Sequence, residues 1–195
     1  MNRRRSIAQY RAMDLFMFAV MLTVFETIVV TAARRWFPNE PWAVSVTPAV
    51  TAIVLMRWGP WAAIHAALGG VVFCAASHAR SAQYLIYVIG NLASLGALGL
   101  RRLWTPEGIR ERVSGSLLFA LAVTLLMQLG RAAAALLLGN PLTAALGFFT
   151  TDAVTLLFTL VLIWIARRLD GIFEDQKHYL LRVHEQEKEE DSDER

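Results

Sequence analysis

Residues 13–33, MDLFMFAVMLTVFETIVVTAA, form an apolar run that is long enough to cross a membrane as one helix. About twenty residues at 1.5 Å each span a hydrocarbon core of roughly 30 Å. Four arginines between residues 3 and 11 precede the run, as charged residues precede the apolar part of a secretory signal peptide. The run is too long for such a peptide, and Ala32-Ala33-Arg34 is a poor cleavage site. We therefore predict a retained first transmembrane helix.

The composition of the whole chain supports a membrane protein. Hydrophobic residues make up 56% of the 195 residues and charged residues 18%, and the mean hydropathy is +0.44. These values are far from the averages of soluble domains. At about 20 residues per crossing, the chain has room for six helices and a tail, but not for a second folded domain. The arginines flank apolar runs instead of forming a basic patch with interleaved aromatics, which excludes nucleic acid as a partner.

Five further apolar runs follow the first and predict five more helices. They are Trp42–Met56, Ala62–Ser77, Gln83–Leu100, Ser116–Leu138 and Phe148–Ala166. Pro60 disfavours helix at the residue before it and suits the first turn of a new helix, so it separates the second run from the third. Both of these runs are short, so either their ends lie within the headgroup region or the two form a tight hairpin thinner than the bilayer. We predict an all-α integral membrane protein, a compact bundle of six transmembrane helices.

The arginines predict the orientation of the bundle, because cationic residues near short loops stay in the cytoplasm. If the N-terminus is inside, the outer set comprises only Arg34, Arg35 and Arg80. The cytoplasmic set is Arg3, Arg4, Arg5, Arg11, Arg57, Arg101, Arg102, Arg110, Arg112, Arg167 and Arg168. Tryptophans near the ends of the runs agree with this assignment. Both termini are therefore predicted to be cytoplasmic, in a multi-pass protein of the plasma membrane.

Three regions follow from these boundaries. Residues 1–12 form a cytoplasmic N-terminal segment, 13–167 the transmembrane domain, and 168–195 a cytoplasmic amphipathic helix with an acidic tail. Apolar residues recur at helical spacing from Leu169 to Val183, and an acidic stretch follows to Glu194. The apolar stripe either lies on the membrane surface or docks a partner protein.

Polar residues inside the spans are the candidates for function, because burying an ionisable group in lipid costs at least about 2.5 kcal/mol unless it is paired or hydrated. They concentrate in the outer halves of the predicted helices, whereas the inner halves are almost entirely apolar. This pattern predicts a pocket open to the outside and closed at its base. The candidate solute-binding residues are Glu26, Tyr84, Tyr87, Asn91, Gln128, Arg131, Thr151 and Asp152.

Several of these residues have a second interpretation. Arg131 and Asp152 could form an ion pair that holds the fifth and sixth helices together, instead of binding a charged solute. Glu26 could be protonated and bonded to a neighbouring helix. Tyr84 lies near the outer boundary, where tyrosine is common in membrane proteins whatever their function.

No enzyme motif is present. The chain has no Walker loop and no His-Glu-x-x-His, and no His, Cys and carboxylate spacing is typical of a metal site. We expect neither catalytic activity nor a cofactor. Small residues recur every four positions, as at Ala19, Thr23 and Thr27 in the first helix, which permits close packing either within the bundle or against another membrane subunit.

Three segments together resemble a known family of membrane proteins. They are residues 45–61, which include Ser45-Val-Thr-Pro48 and Arg57-Trp-Gly-Pro60-Trp, then Leu68-Gly-Gly70, and Tyr84-Leu-Ile-Tyr-Val-Ile-Gly-Asn91. The chain resembles the substrate-binding S component of energy-coupling factor (ECF) transporters. The length, the six predicted spans and the polar outer half agree with that family.

The resemblance implies that the protein captures a vitamin or related micronutrient from outside a bacterial or archaeal cell. The loop from Arg34 to Pro41 would then act as a lid over the pocket. The implied partners are a transmembrane coupling subunit and two ATPase subunits, and release would follow toppling of the bundle. In the family a row of small residues on helix 1, often Ala-x-x-x-Ala, faces the coupling subunit. The nearest match is Ala19-x-x-x-Thr23, in which the second small residue is threonine.

Two other classes remain open at this point. The protein could be a membrane sensor or assembly scaffold that signals through its cytoplasmic tail. It could also be a membrane enzyme that uses Glu26, Asp152 and His78, although no motif orders these three residues as a hydrolytic site.

Overall fold

The structure, a computed structural model, describes residues 7–169, 171–176, 179–180 and 182. Within these ranges it contains helices, turns and loops but no β-strand, so the predicted all-α class is confirmed. The α-helices are α1 (Ile7–Trp36), α2 (Thr47–Trp58), α3 (Ala62–Ala76), α4 (Ser81–Leu92), α5 (Leu100–Leu103), α6 (Pro106–Glu111), α7 (Val113–Leu137), α8 (Leu142–Thr151) and α9 (Ala153–Ala166).

Helix α1 is longer than predicted, and it contacts the bundle along one narrow stripe. It has 30 residues and continues past the predicted end at Ala33 to Trp36. Its buried residues recur at every fourth position: Asp14, Phe18, Leu22, Glu26 and Val30. Residues at i and i+4 lie on the same face of a helix, so the remaining apolar surface of α1 faces outward.

Helices α2 and α3 form the predicted hairpin. Gly59 has φ of +59°, a conformation that favours glycine, and the chain reverses there. A Cβ atom at Gly69 would collide with the side chain of Thr47, which shows that the start of α2 lies against the middle of α3. With 12 and 15 residues, the two helices are roughly 18 and 22 Å long, shorter than the roughly 30 Å core of a bilayer.

Five stretches of the described chain are long and apolar enough to cross a membrane. They are Ile7–Trp36, Thr47–Ala76, Ser81–Leu103, Val113–Leu137 and Leu142–Ala166. The second stretch contains the α2–α3 hairpin and therefore supplies two antiparallel helices instead of one.

Two of the predicted helices are interrupted. The fourth changes from α-helix to a 3₁₀-helix at Ala93–Gly99, where the Ser94 hydroxyl donates a hydrogen bond to the Asn91 carbonyl at 2.7 Å. The sixth begins at Leu142, earlier than predicted, and breaks at Asp152 between α8 and α9. Both interruptions lie beside Arg131, where α4, α7 and the α8–α9 junction meet.

The bundle has two chemically different ends. We call the end that carries the segment 37–46 the loop end. The opposite end, where α1 begins, is the basic end, and it carries Arg11, Arg57, Arg101, Arg102, Arg110, Arg112, Arg167 and Arg168. The sorted arginines that the structure describes thus segregate between the two ends as the sequence analysis placed them, and Arg3, Arg4 and Arg5 lie outside the described residues.

The described part of the C-terminal tail packs onto the basic end. Residues 171–175 form turns and bends instead of the predicted continuous amphipathic helix, and helix resumes at Gln176. Phe173 is fully buried, with its ring 6.2 Å from that of Phe119 in α7. This side chain is therefore part of the core instead of lying on a membrane surface. Val183 and the acidic stretch lie outside the described residues.

Candidate functional site

Three of the predicted site residues form one hydrogen-bonded cluster. The Arg131 guanidinium in α7 donates through Nε to Asn91 Oδ1 at 2.7 Å and through Nη1 to Asp152 Oδ2 at 2.5 Å. Asn91 in turn donates to the carbonyl of Ala66 in α3 at 3.0 Å. The side chains of Arg131 and Asp152 are only 3% and 4% exposed. We call Asn91, Arg131 and Asp152 the polar cluster.

The polar cluster joins four segments that are far apart in the sequence. Gly90 allows the approach, because a Cβ atom there would come within 2.6 Å of the Arg131 Cα atom. A buried charge is costly unless it is paired and hydrogen-bonded, and the cluster meets both conditions. In the described chain, Arg131 and Asp152 therefore bind each other. This is the ion pair that the sequence analysis gave as the alternative to binding a charged solute. Their direct contact with a solute stays a prediction.

Tyr87 connects the polar cluster to the loop end through stacked aromatic rings. The Arg131 guanidinium carbon lies 4.5 Å from the Tyr87 ring centroid, a cation–π geometry. On the Phe73 side, the Tyr87 and Phe73 rings stack with centroids 4.7 Å apart and an angle of 16°. Phe148 contacts Tyr87 edge-on at 5.9 Å. Tyr87 and Phe73 therefore separate Arg131 from the loop end of the bundle.

Glu26 holds the start of α2. Its carboxylate accepts hydrogen bonds from the Ser45 hydroxyl at 2.6 Å and from the backbone N–H groups of Val46 and Thr47 at 2.8 and 3.0 Å. The first N–H groups of a helix have no partner within the helix, and a negative charge is favourable there. Val46, the residue before α2, provides no capping side chain, so Glu26 of α1 does so instead. These contacts give Glu26 a structural task, and its role as a solute ligand stays a prediction.

The segment 37–46 is fixed at its second half by the α8–α9 junction. The N–H of Ala43 donates to the Thr151 carbonyl at 2.9 Å, and the Thr155 hydroxyl donates to the Ala43 carbonyl at 2.9 Å. The Thr151 hydroxyl donates to the carbonyl of Gly147 within its own helix. Residues 37–41 are exposed. The part of the predicted lid that lies outside α1 and lacks these anchors is therefore 37–41.

Gln128 and Tyr84 complete the predicted set. Gln128 is buried one helical turn before Arg131 in α7. Tyr84 is half-buried near the start of α4, one turn from Tyr87 on the side away from Asn91. Neither residue belongs to the hydrogen bonds that build the polar cluster.

A cavity of about 320 Å³ lies at the loop end, between the last turns of α1 and α3 and the segment 37–46. We call it the loop cavity. Its lining comprises Val30, Ala33, Arg34, Phe37, Pro38, Glu40, Trp42, Ala43, Val44, Phe73 and Ser77. The Phe37 and Trp42 rings are 5.0 Å apart, so three aromatic rings and one charge of each sign surround the space. Phe73 is shared by the loop cavity and the stack that leads to Arg131.

Neither a known protein family, nor a curated protein, nor a solved structure matches this chain significantly. The functional argument therefore depends on the geometry. Among the described residues, no group of three or more His, Cys, Asp and Glu side chains could hold a metal ion. The hypothetical hydrolytic set is not supported either, because Glu26 and Asp152 have different partners and His78 is exposed.

Sequence analysis missed a second buried ion pair at the basic end. Arg57 of α2 donates to both carboxylate oxygens of Asp14 in α1, through Nε at 2.8 Å and Nη2 at 2.7 Å. Trp58 Nε1 also donates to Asp14, at 2.6 Å. The remaining terminal nitrogen, Nη1, donates to the carbonyls of Gly171 and Ile172 in the tail. The usable signal was Asp14 itself, an acidic residue at the arginine-rich start of an apolar helix.

Two more ion pairs attach the tail to the basic end. Arg101 pairs with Asp175 at 2.6 Å, and Arg110 pairs with Glu174 at 2.7 Å. Together with Phe173 and the Arg57 contacts, these bonds cover the ends of α2 and α7.

The predicted interface residues of α1 lie beside its buried stripe. Thr23 is exposed and Ala19 is half-buried, and neither belongs to the buried stripe. The Thr23 hydroxyl donates to the Ala19 carbonyl at 2.8 Å, which satisfies it within the helix. The role of this row as a partner interface stays a prediction.

Proposed function

We propose that this protein is the substrate-capture subunit of an ATP-driven ECF-type importer and that it binds its solute in the loop cavity. The observation that carries the proposal is the loop cavity itself, a space lined by three aromatic rings and by one charge of each sign. Ligand sites in proteins are concave, mostly apolar and contain a few converging polar groups. The loop cavity has these properties.

The proposal includes insertion in the plasma membrane of a bacterium or archaeon. The apolar side chains on the outer face of α1, such as Phe16, Val24 and Ile28, would face lipid acyl chains. The arginine-rich basic end would lie in the cytoplasm and the loop end outside, because cationic residues are retained on the cytoplasmic side. Solute would then enter the loop cavity from the exterior.

The cavity chemistry favours a small flat solute. A volume of about 320 Å³ lies at the lower end of the range of ligand pockets, which suits a compact heterocycle such as a vitamin. Phe37, Trp42 and Phe73 offer ring faces for stacking. Arg34 could bind a carboxylate or phosphate group, and Glu40 could bind an amine or ring N–H.

The proposal also includes a lid and partner subunits. Residues 37–41 would close over the solute while the anchor at Ala43 keeps the segment attached to the α8–α9 junction. The chain carries no Walker loop, so the energy for release would come from two ATPase subunits. A coupling subunit would pack on the row of Ala19 and Thr23, where small side chains permit close approach.

The sensor or scaffold alternative has less support. It requires the tail to offer its apolar residues to a partner, but Phe173 is buried in the bundle. Glu174 and Asp175 are also engaged with arginines of the basic end.

The test begins with extraction of small molecules from the purified protein and their identification by mass spectrometry. The affinity of the identified solute is then measured by calorimetry for the wild type, Trp42→Ala and Trp36→Ala. Trp42 lines the loop cavity, whereas Trp36 is 72% exposed beside it and serves as the matched control.

Trp42→Ala should weaken binding about tenfold, since an aromatic contact contributes roughly 0.5 to 1.5 kcal/mol beyond its buried area. Trp36→Ala should change the affinity less than twofold. If no small molecule is retained, or if both variants bind as the wild type does, the loop cavity is not the solute site.

A second experiment tests the coupling subunit. Ala19→Trp places a bulky side chain on the row of Ala19 and Thr23 and should reduce copurification with that subunit while solute binding stays intact. Loss of solute binding together with copurification would show that Ala19 supports the fold instead of the partner contact.

A further inference from the structure

A second cavity, of about 310 Å³, lies at the basic end and plays no part in the proposed solute capture. It is formed by the start of α1, the turn of the α2–α3 hairpin, α5 and the tail. We call it the basic cavity. Its lining side chains include Arg11, Arg57, Trp58, Trp61, Arg101 and Asp175.

The charges around the basic cavity do not balance. Asp14, which does not line the cavity, forms an ion pair with Arg57, and Asp175 forms one with Arg101. Arg11 faces no carboxylate among the residues that the structure describes, and its guanidinium lies 4.5 Å from the Trp61 ring centroid. Within the described ranges, Arg11 is therefore a positive charge of the cavity lining that no carboxylate compensates.

Two arginines that line the basic cavity, Arg11 and Arg101, have N–H donors available for a ligand. Arginine has five N–H donors, and Arg101 uses Nη1 for the Leu55 carbonyl at 2.7 Å and Nη2 for Asp175 at 2.6 Å, which leaves further N–H groups available. Gly59 keeps this guanidinium close to the hairpin turn, because a Cβ atom there would lie 3.2 Å from Arg101 Nη1. Arg11 lines the same cavity with all of its donors free of carboxylates.

We propose that the basic cavity binds a phosphate group, held between Arg11 and Arg101. Arginine guanidinium groups match the geometry of phosphate oxygens and bind them through several parallel hydrogen bonds. The phosphate belongs either to the headgroup of an anionic phospholipid or to a soluble phosphate compound.

The position of the cavity is compatible with a lipid headgroup. Trp58 and Trp61 line it, and tryptophan rings are common at the level of lipid headgroups. Three more arginines, Arg3, Arg4 and Arg5, precede α1 in the sequence, and such clusters beside a membrane helix attract anionic lipids. The inference needs the proposed membrane insertion but is independent of solute capture.

The experiment measures lipid binding to the full-length protein in detergent by native mass spectrometry. Phosphatidylglycerol and phosphatidylcholine are titrated separately against the wild type, Arg11→Gln and Arg102→Gln. Arg102 is an exposed arginine at the same end that does not line the basic cavity, so its variant removes the same charge without touching the site. Inorganic phosphate is added in a third arm as the soluble competitor. Thermal melting of each variant shows that it is folded.

The wild type should bind phosphatidylglycerol at least tenfold more tightly than phosphatidylcholine. Arg11→Gln should abolish most of this preference, whereas Arg102→Gln should retain it. If millimolar inorganic phosphate binds with the same dependence on Arg11 and displaces the lipid, the phosphate site is supported and its natural ligand is soluble. An equal loss of preference in both variants would overturn the proposal, because attraction to surface charge alone would then explain the result. The absence of any preference in the wild type would overturn it as well.

Discussion

The ion pair in the polar cluster gives the sharpest prediction about individual residues. Arg131→Met leaves the Asp152 carboxylate buried without its partner, and Asp152→Ala leaves the Arg131 guanidinium with only the Asn91 oxygen that it already binds. Both side chains are less than 5% exposed, so water cannot compensate. Breaking a buried pair from one side typically costs about 3 to 5 kcal/mol.

This cost should be visible in the melting temperature. At two to four degrees per kcal/mol for a chain of this size, each single variant should melt roughly 6 to 20 °C below the wild type in detergent. The double variant removes both charges and should regain most of the loss. Thermal unfolding followed by tryptophan fluorescence or by size-exclusion chromatography measures the three differences.

Solute affinity must be measured on the same three proteins. Because Phe73 and Tyr87 separate Arg131 from the loop cavity, the double variant should bind solute within a few-fold of the wild type. The opposite result would refute this reasoning: single variants that keep the wild-type melting temperature but lose binding ten- to a hundredfold. Arg131 and Asp152 would then be solute ligands and not a structural pair.

Three further predictions concern other parts of the chain. Glu26→Ala should lower the free energy of unfolding by about 2 kcal/mol or more, because the first N–H groups of α2 lose their acceptor. Glu26→Gln should cost less, since its amide oxygen still accepts. If both variants melt at the wild-type temperature, the capping role is excluded. Phe173→Ala should cost about 3 to 5 kcal/mol by leaving a cavity against α7, whereas Leu169→Ala, at a position 52% exposed, should stay within about 0.5 kcal/mol; the same small effect in both would mean that the tail does not pack on the bundle. A reporter fused after Arg168 should be cytoplasmic and one inserted in the turn 139–141 external; finding both on one side would contradict the proposed topology.

Sequence reasoning located the helices and the residues of the polar cluster for identifiable reasons. Apolar runs bounded by glycine and proline give helix positions, and the hairpin at Gly59 and Pro60 follows from backbone rules that act locally. Asn91, Arg131 and Asp152 are polar residues in the outer halves of the predicted helices. Their similar depth in the membrane therefore predicts that they lie close together. Whether they bind each other or a solute depends on distances of a few tenths of an ångström, which a sequence does not contain.

The features that sequence reasoning missed depend on irregular segments. Glu26 caps α2 only because residues 45–47 approach α1, and no periodic pattern encodes that approach. The helical spacing of Phe173 fits a surface stripe and a core position equally well, so the sequence does not predict its burial against Phe119. The apolar run predicts that Trp42 begins the second helix, whereas α2 begins at Thr47, Ala43 is anchored to the α8–α9 junction, and the Trp42 ring lines the loop cavity.

The most direct test of solute capture at the loop end is the protection of a single cysteine by the solute. Ser77→Cys, in a Cys74→Ala background, places a thiol in the wall of the loop cavity, and Ala82→Cys places one on the exposed surface of the same end. Intact cells are treated with a membrane-impermeant thiol reagent in the presence and absence of the solute identified by extraction. The proposed function predicts that both cysteines react without solute and that saturating solute protects only the one at position 77. Equal labelling of that cysteine with and without solute, or no labelling of either cysteine from outside, would contradict it.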